Sequence, residues 1–323
     1  MGGKLATGLE EISTDPSSLR APGFWAVVGS FEGQWLLARF KNIVEAPLPL
    51  EGAWNPISSA AWCSSLDRET YLNYVKLVRE KIAAGEVYQV NACRVISADN
   101  QENGSLLPLA RAIAAGNPAP YLSYVSLPGL EIASASPERF LSLKDGSIIS
   151  SPIKGTSATP DFLEKDNAEN LMIVDLIRND MGAIAEIGSV TTPRLLSVEA
   201  HPGLYHLVSD VKAKIAPNLY FDEVLRSMMP PGSVSGAPKS SALKIIRRQE
   251  GERDIYCGAL GWYHNGEAEI AVAIRTFWQR EDGILHFGTG AGITWGSDPE
   301  LEWQETELKA ARLIKIAGGQ AGG

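Results

Sequence analysis

CGALGWYHNGEAEIAVAIRTFWQREDGILHFGTG, residues 257–290, is the stretch on which the fold class turns. Asn265-Gly266 and Asp282-Gly283 are two-residue turn signals between runs rich in branched and aromatic residues, which predicts three antiparallel strands in a meander. A two-residue turn at Asn265-Gly266 places Trp262 opposite Glu269, on the face shared by Ala271, Ala273 and Arg275. A two-residue turn at Asp282-Gly283 sets Arg275 opposite Gly290. That face holds an arginine among alanines and glycines, which leaves room for a ligand. GTGAGI (288–293) offers backbone N–H groups to a carboxylate, and arginine suits bidentate carboxylate binding. A tight bend at a sheet corner is the plainer alternative.

Upstream, FWAVVGSFEGQWLLARF (24–40) reads as a hairpin turning near Glu32-Gly33. Leu72, Val75, Val78 and Ile82 form the apolar stripe of a helix from about Asp67 to Ala84, with Gly85 beyond its end. YQVNACRVIS (88–97) is a strand, and a short helix precedes GNPAP (116–120). Residues 121–154 are strand throughout, with Lys144-Asp145-Gly146 as a hairpin turn. Helices follow at roughly 164–179, 221–229 and 237–249, and PELEWQETELKAARLIKI (299–316) closes the chain as another. Hairpins mixed with helices predict an α+β fold and exclude a parallel βαβ sheet. Residues 1–22 read as a flexible N-terminal lead-in, 23–318 as a single domain and 319–323 as a flexible tail.

The chain has 323 residues, 45% hydrophobic and 21% charged, with a formal net charge of -9. That charge argues against nucleic-acid binding, which needs a basic surface, and requires local positive charge for any anionic substrate. No apolar run is long enough to span a membrane, and the N-terminus lacks the apolar core of a secretory signal. Cys63, Cys93 and Cys257 form neither a disulfide framework nor a CxxC site, so a cytoplasmic location is expected. GTGAGI is not a dinucleotide fingerprint, PPGSVSGAPKSS lacks Walker A spacing, and His201, His206, His264 and His286 lack metal-ligand spacing.

Two constellations remain. Asp166 and Glu169 are three apart on one predicted helix, and Glu302 and Glu305 three apart on another, so each pair shares a face. Mg²⁺ would offset their repulsion, although on spacing alone solvated helix faces are the better account. Glu138 and Lys154 arrive at the same end of one hairpin, directly opposite with a three-residue turn and one position apart with a two-residue turn. A partly buried lysine can lose its proton and act as nucleophile, and a nearby carboxyl can donate a proton; a surface ion pair is the alternative.

In order, the chain carries GEVYQVN (85–91), SASPERF (134–140), PIKGT (152–156), AENLMIVDLIRND (168–180) and YHLVS (205–209). PPGSVSGAPK (230–239), AIRTF (273–277), GAGI (290–293) and LEWQETELK (301–309) follow. From about Asp67 to Ile316 this series resembles the chorismate-binding domain of the family of anthranilate, aminodeoxychorismate, isochorismate and salicylate synthases. The resemblance implies two orthogonally packed antiparallel sheets flanked by helices, and a Mg²⁺-dependent chorismate site. Glu169 and Glu305 match the family's metal ligands, with Glu302 and Asp166 close by. Arg275, Gly290, Ala291, Gly292 and Lys309 match groups holding the substrate's carboxylates, and Trp262 stands where a tyrosine is usual. Glu138 matches the residue that protonates the departing C4 hydroxyl, and His206 joins the catalytic candidates through YHLVS.

Two positions separate members. Hydroxylating members have lysine where this chain has Gln89, which implies amination in place of hydration. Anthranilate synthases look like PIAGT, whereas this chain reads PIKGT, so Lys154 resembles the nucleophile of members that make 4-amino-4-deoxychorismate. By that analogy Lys154 attacks C2, Glu138 assists loss of the C4 hydroxyl, and ammonia from a separate glutamine amidotransferase enters at C4. An anthranilate-forming enzyme and a non-catalytic subunit of the same fold are the alternatives. The segment between Lys154 and Glu169 looks shorter than in many relatives. The N-terminal half-domain of larger members, with its tryptophan-binding segment, is expected to be absent, and tryptophan feedback with it.

Overall fold

The computed structural model describes residues 1–157, 159–201 and 204–319. Its N-terminal half contains β1 (Lys4–Ser13), β2 (Phe24–Gly29), β3 (Trp35–Glu45), β4 (Cys63–Ser64), α1 (Arg68–Ala83), β5 (Gln89–Asp99) and α2 (Leu107–Gly116). Next come β6 (Tyr121–Leu127), β7 (Leu130–Ser136), β8 (Arg139–Lys144), β9 (Ser147–Ser151), β10 (Ile153–Ser157) and α3 (Glu164–Gly182). Then follow β11 (Thr191–His201), β12 (Leu204–Lys214), α4 (Phe221–Met228), β13 (Gly236–Ala237) and α5 (Lys239–Gln249). The chain ends with β14 (Ala259–His264), β15 (Glu267–Val272), β16 (Thr276–Arg280), β17 (Ile284–Ile293) and α6 (Pro299–Ile316).

The architecture is α+β. A ten-stranded sheet runs β1-β3-β2-β14-β15-β8-β9-β12-β10, with β11 on β12; a seven-stranded sheet runs β13-β5-β17-β16-β7-β6, with β4 on β5. Every strand pairing within them is antiparallel. The main apolar core contains Trp25, Leu37, Tyr71, Val75, Val90, Leu141, Ile173 and Ile270, all from strands and helices that face one another. No helix among the described residues is long and apolar enough to cross a membrane.

Several expectations need correction. Residues 1–22 are not a loose lead-in: β1 pairs with β3 from Lys4↔Glu45 to Ser13↔Leu37. Leu19 is buried, and Arg20 donates to Asp222 at 3.0 Å, which ties the segment to α4. A polar strand at a sheet edge gives little hydrophobic signal, which is why composition misread it. Of the predicted tail, Gly319 packs against Trp62, and residues 320–323 lie outside the described residues. On α1 the buried stripe is Tyr71, Tyr74, Val75 and Val78, because the aromatic side chains fill the core ahead of Leu72 and Ile82. The β11–β12 hairpin had not been predicted as strand.

The meander is the instructive case. Trp262 does lie opposite Glu269, and Asn265 and Gly266 take the left-handed conformation of a tight hairpin turn. The third strand is displaced: Gln279 pairs with Leu285 and Phe277 with Phe287, so the connection is one residue longer than predicted and Arg275 does not pair with Gly290. Gly290 pairs with Cys93 instead. Moreover, 267–280 is not one strand. β15 belongs to the ten-stranded sheet and β16 to the seven-stranded sheet, and Ala273–Arg275 carry the chain between them. The corner therefore lies at Ala273–Arg275, whereas GTGAGI (288–293) continues β17 in unbroken register with β5.

Candidate active site

The chain makes a second such crossing at Pro137 and Glu138, between β7 of one sheet and β8 of the other. The two crossings are stitched together: Val272 N–H donates to Glu138 O at 3.0 Å, and Ala135 N–H donates to Arg275 O at 3.0 Å. Ser136 Oγ donates to Val272 O at 2.6 Å. Glu138 and Arg275 are thereby set side by side where the sheets part.

Lys154 reaches the site from β10. The β8–β9 hairpin has a two-residue turn with Lys144 opposite Ser147, followed by a register shift between Arg139 and Ser142. After Ser151 the chain leaves β8 and pairs with β12, Ile153 opposite Val208. Lys154 Nζ lies 2.9 Å from Glu169 Oε1 of α3. Gln89, the buried first residue of β5, donates from Nε2 to the same oxygen at 2.5 Å. Gln89 Oε1 is buried and has no hydrogen-bond partner among the described residues. Gly292 closes this wall: a Cβ there would stand 2.4 Å from Gln89 Nε2 and 2.8 Å from Glu169 Oε1. A larger residue there would push the ends of these side chains aside.

β16 pairs with β17 only as far as Phe277↔Phe287, whereas β5 continues along β17 to Ile293. Beyond Phe287, the edge of β17 turned away from β5 therefore lacks a strand partner among the described residues, and Gly290, Ala291 and Gly292 lie in that stretch. α6 packs along β17, fixed by Thr289 Oγ1 to Thr306 O at 2.8 Å. From α6, Lys309 Nζ donates to Gly290 O at 3.1 Å and pairs with Glu305 at 2.6 Å.

Electrostatics distinguish these groups. Burial pushes the Glu138 carboxyl up to about 7, against the opposing pull of a Ser233 hydrogen bond, Lys154, the Ile153 N–H and Lys309. Burial pulls the Lys154 ammonium down, but Glu169, Glu138 and Glu305 outweigh it and hold it above an ordinary lysine. The expectation that burial leaves this amine ready to lose its proton is corrected accordingly, because three carboxylates surround it. Burial would raise Glu169, yet Lys154, Lys309 and Gln89 hold it below its ordinary value. Arg275 is lowered by burial and by Arg312, and its side chain makes no ion pair or hydrogen bond to a described residue. A mostly buried guanidinium with only a like charge nearby is chemically suited to receive an anion.

The acids of two helices do meet. Burial, then Glu305 and Glu169, raise Glu302 above its ordinary value, so these carboxylates of α3 and α6 feel one another. Asp166 is different, since its Oδ2 accepts the Leu163 N–H at 3.0 Å at the start of α3. Among the described residues no three acidic, histidine or cysteine side chains stand ready at metal-ligand spacing, and Lys154 and Lys309 hold the oxygens of Glu169 and Glu305. The donor set consists of carboxylate oxygens, which fits a hard divalent cation that retains water.

His206 is buried on β12 opposite Thr156 of β10, one strand from Lys154. Trp262 is not brought to this group. It lies on β14, five strands along from β10, with its ring stacked on Phe24 at 5.9 Å and under Lys4. Ser233 was missed as a site residue; the only signal was its place in PPGSVSGAPK.

Comparisons with known proteins bear out the family and the fold. Residues 34–315 match the model of the chorismate binding enzyme family, and the chain belongs to that family. Among curated relatives, the aminodeoxychorismate synthase component 1 of Klebsiella aerogenes is 37% identical over 79% of this chain and 59% of its own length. The anthranilate synthase component 1 of Aquifex aeolicus is 37% identical over 79% of this chain and 54% of its own. The chain thus spans little more than half of either relative. The solved anthranilate synthase component I of Streptococcus pneumoniae superposes with a TM-score of 0.78 at 25% identity, covering 90% of this chain and 80% of that one. The menaquinone-specific isochorismate synthase of Escherichia coli shares the fold, with a TM-score of 0.80 at 19% identity over 97% of this chain and 85% of its own.

Proposed function

We propose that the chain aminates chorismate to 4-amino-4-deoxychorismate, taking ammonia from a separate glutamine amidotransferase. Identity alone does not choose between amination at C4 and anthranilate formation, because relatives of both kinds are 37% identical. The choice rests on one observation: Lys154 projects an amine into the space bounded by Glu138, Glu169, Gln89 and Gly292. An alanine there would leave no nucleophile on the protein, so that ammonia alone could attack carbon.

Arg275 and Lys309 supply the positive charge that an acidic protein needs to hold a dicarboxylate, helped by the unpartnered edge at Gly290, Ala291 and Gly292. Glu169, Glu302 and Glu305 would hold Mg²⁺, which contributes positive charge against the substrate's carboxylate. Glu138 is held near neutrality and gives its proton to the departing C4 hydroxyl. Once Lys154 has released its proton to solvent, its neutral amine attacks C2 as that C–O bond breaks, the two conjugated ring double bonds shift and water departs. Ammonia then adds at C4 and returns a proton to the Glu138 carboxylate, the double bonds shift back, and the C2–N bond to Lys154 breaks. Gln89 favours ammonia over water as nucleophile: its unpartnered amide oxygen can accept a hydrogen bond from ammonia, whereas an amide cannot take a proton from water. His206 stands beside this chemistry on β12.

The test is incubation with chorismate, Mg²⁺ and ammonium, followed by mass spectrometry. 4-Amino-4-deoxychorismate is the expected product. Fluorescent anthranilate with loss of pyruvate would establish the other aminating chemistry, and no consumption of chorismate would reject both.

A further inference from the structure

The two halves of α6 are held by different forces. The C-terminal half buries Ala310, Leu313 and Ile314 in an apolar core. Residues 299–307, the half that carries Glu302 and Glu305, are all described, and among them only Thr306 is buried. Polar ties fix this half. Thr289 of β17 and Arg94 of β5 stand directly opposite each other, and both reach Thr306. Thr289 Oγ1 donates to Thr306 O at 2.8 Å, and Arg94 Nε donates to Thr306 Oγ1 at 3.1 Å. The buried Arg94 also donates to Ser64 Oγ of β4 at 3.0 Å and pairs with Glu307. Its guanidinium lies over the Trp303 ring, 4.1 Å from the centroid, and Tyr71 of α1 meets the same ring edge-on at 5.6 Å. Residues 303, 306 and 307 share one face of the helix, so Arg94 grips a full turn of it.

We propose that Arg94 is a positioning residue for the divalent cation, keeping Glu302 and Glu305 of α6 within reach of the ion that Glu169 of α3 also holds. The two sides of the site meet along β17. Glu169 Oε1 lies beside Gly292, where a Cβ would stand 2.8 Å from it. Glu305 pairs with Lys309, which donates to Gly290 O two residues away. β5 serves both sides. Its first residue, Gln89, donates to Glu169, and Arg94, five residues on, holds α6. Acids from two separate helices are thereby referred to one strand. Mg²⁺ demands near-ideal placing of its oxygen ligands, and the carboxylates repel one another until it binds. Without Arg94, the weakly buried half of α6 is free to draw its acids away.

This assignment rests on Glu169, Glu302 and Glu305 holding Mg²⁺. It is tested by titrating wild type, Arg94→Met, Thr306→Val and Thr306→Ser with Mg²⁺ in a calorimeter, alone and with chorismate but no ammonia. Loss of a group that orients metal ligands predicts Mg²⁺ bound about tenfold more weakly in Arg94→Met and Thr306→Val. Thr306→Ser keeps the hydroxyl and should bind it as wild type does. At saturating Mg²⁺, KM for chorismate should change less than about twofold, because only the placing of the acids is altered. Arg94→Met decides where it folds; Thr306→Val, which keeps the shape of the side chain, decides otherwise. Wild-type Mg²⁺ affinity in the deciding variant, or an equal rise in KM for chorismate, overturns the assignment while leaving the metal reading intact. A wild-type chain that takes up no Mg²⁺ in either titration overturns both.

Discussion

Two Lys–Glu pairs flank the site, and they are alike in chemistry but not in setting. Lys154 and Glu169 come from β10 and α3, and their side chains are only 12% and 23% exposed. Lys309 and Glu305 are one turn apart on α6, with side chains 46% and 47% exposed. The exposed pair contributes a few tenths of a kcal/mol and exchanges freely with water. In the buried pair each partner sets the proton affinity of the other, and Gln89 donates to the same Glu169 oxygen that Lys154 meets. The same two residue types are thus suited to reaction in one place and to binding in the other.

This contrast can be broken most sharply at Lys154. Lys154→Ala should lower aminodeoxychorismate formation by at least about 10³-fold, the range for loss of an activated nucleophile, and expose weak anthranilate production. Product analysis by mass spectrometry checks it, and unchanged activity would remove Lys154 from the chemistry. Next in size, Glu138→Gln should cost about 10²-fold in kcat. Because Glu138 must be protonated to act and its carboxyl sits at about 7, wild-type kcat should fall as pH rises through about 7. The pH profile should lose that limb in the variant.

Lys309→Ala should raise KM for chorismate roughly tenfold, equivalent to about 1.4 kcal/mol, with kcat little changed. A kcat loss as large as that of Lys154→Ala would erase the distinction between the pairs. The smallest effect concerns stability. Folding raises the Glu138 carboxyl from 4.5 to about 7, so the protonated form is favoured in the folded state. The resulting stabilisation is complete below the ordinary value and is lost as pH rises through about 7, a change of about 3 kcal/mol. Glu138→Gln should therefore gain a few degrees of Tm relative to wild type at pH 8.5 and not at pH 4.5.

Much of this was legible in the sequence where local rules decide. Asn265-Gly266 set the Trp262–Glu269 register because turn chemistry fixes it, and the three-residue spacing of Glu302 and Glu305 placed both on one side of α6. Trp262 illustrates the limit. Its partner across the hairpin was right, yet the ring is taken up by Phe24 and Lys4, two contacts that no local pattern encodes. Asp166 shares a face with Glu169, but its carboxylate is used at the start of its own helix. Ser233 was silent because its meaning depends on a residue almost a hundred positions away. The register of Arg275 failed because the chain changes sheets there, and strand periodicity carries no sign of such a change.

That change of sheet has a mechanical corollary. Loops such as Asn265-Gly266 hang from one sheet, so their length can drift without disturbing anything beyond the hairpin. Ala273–Arg275 are held at both ends by different sheets and bonded laterally to the neighbouring crossing. One residue gained or lost between Val272 and Thr276 would slide the two layers out of step and carry the guanidinium and the acid with them. Length at this joint is as much a part of the site as the identity of the side chains.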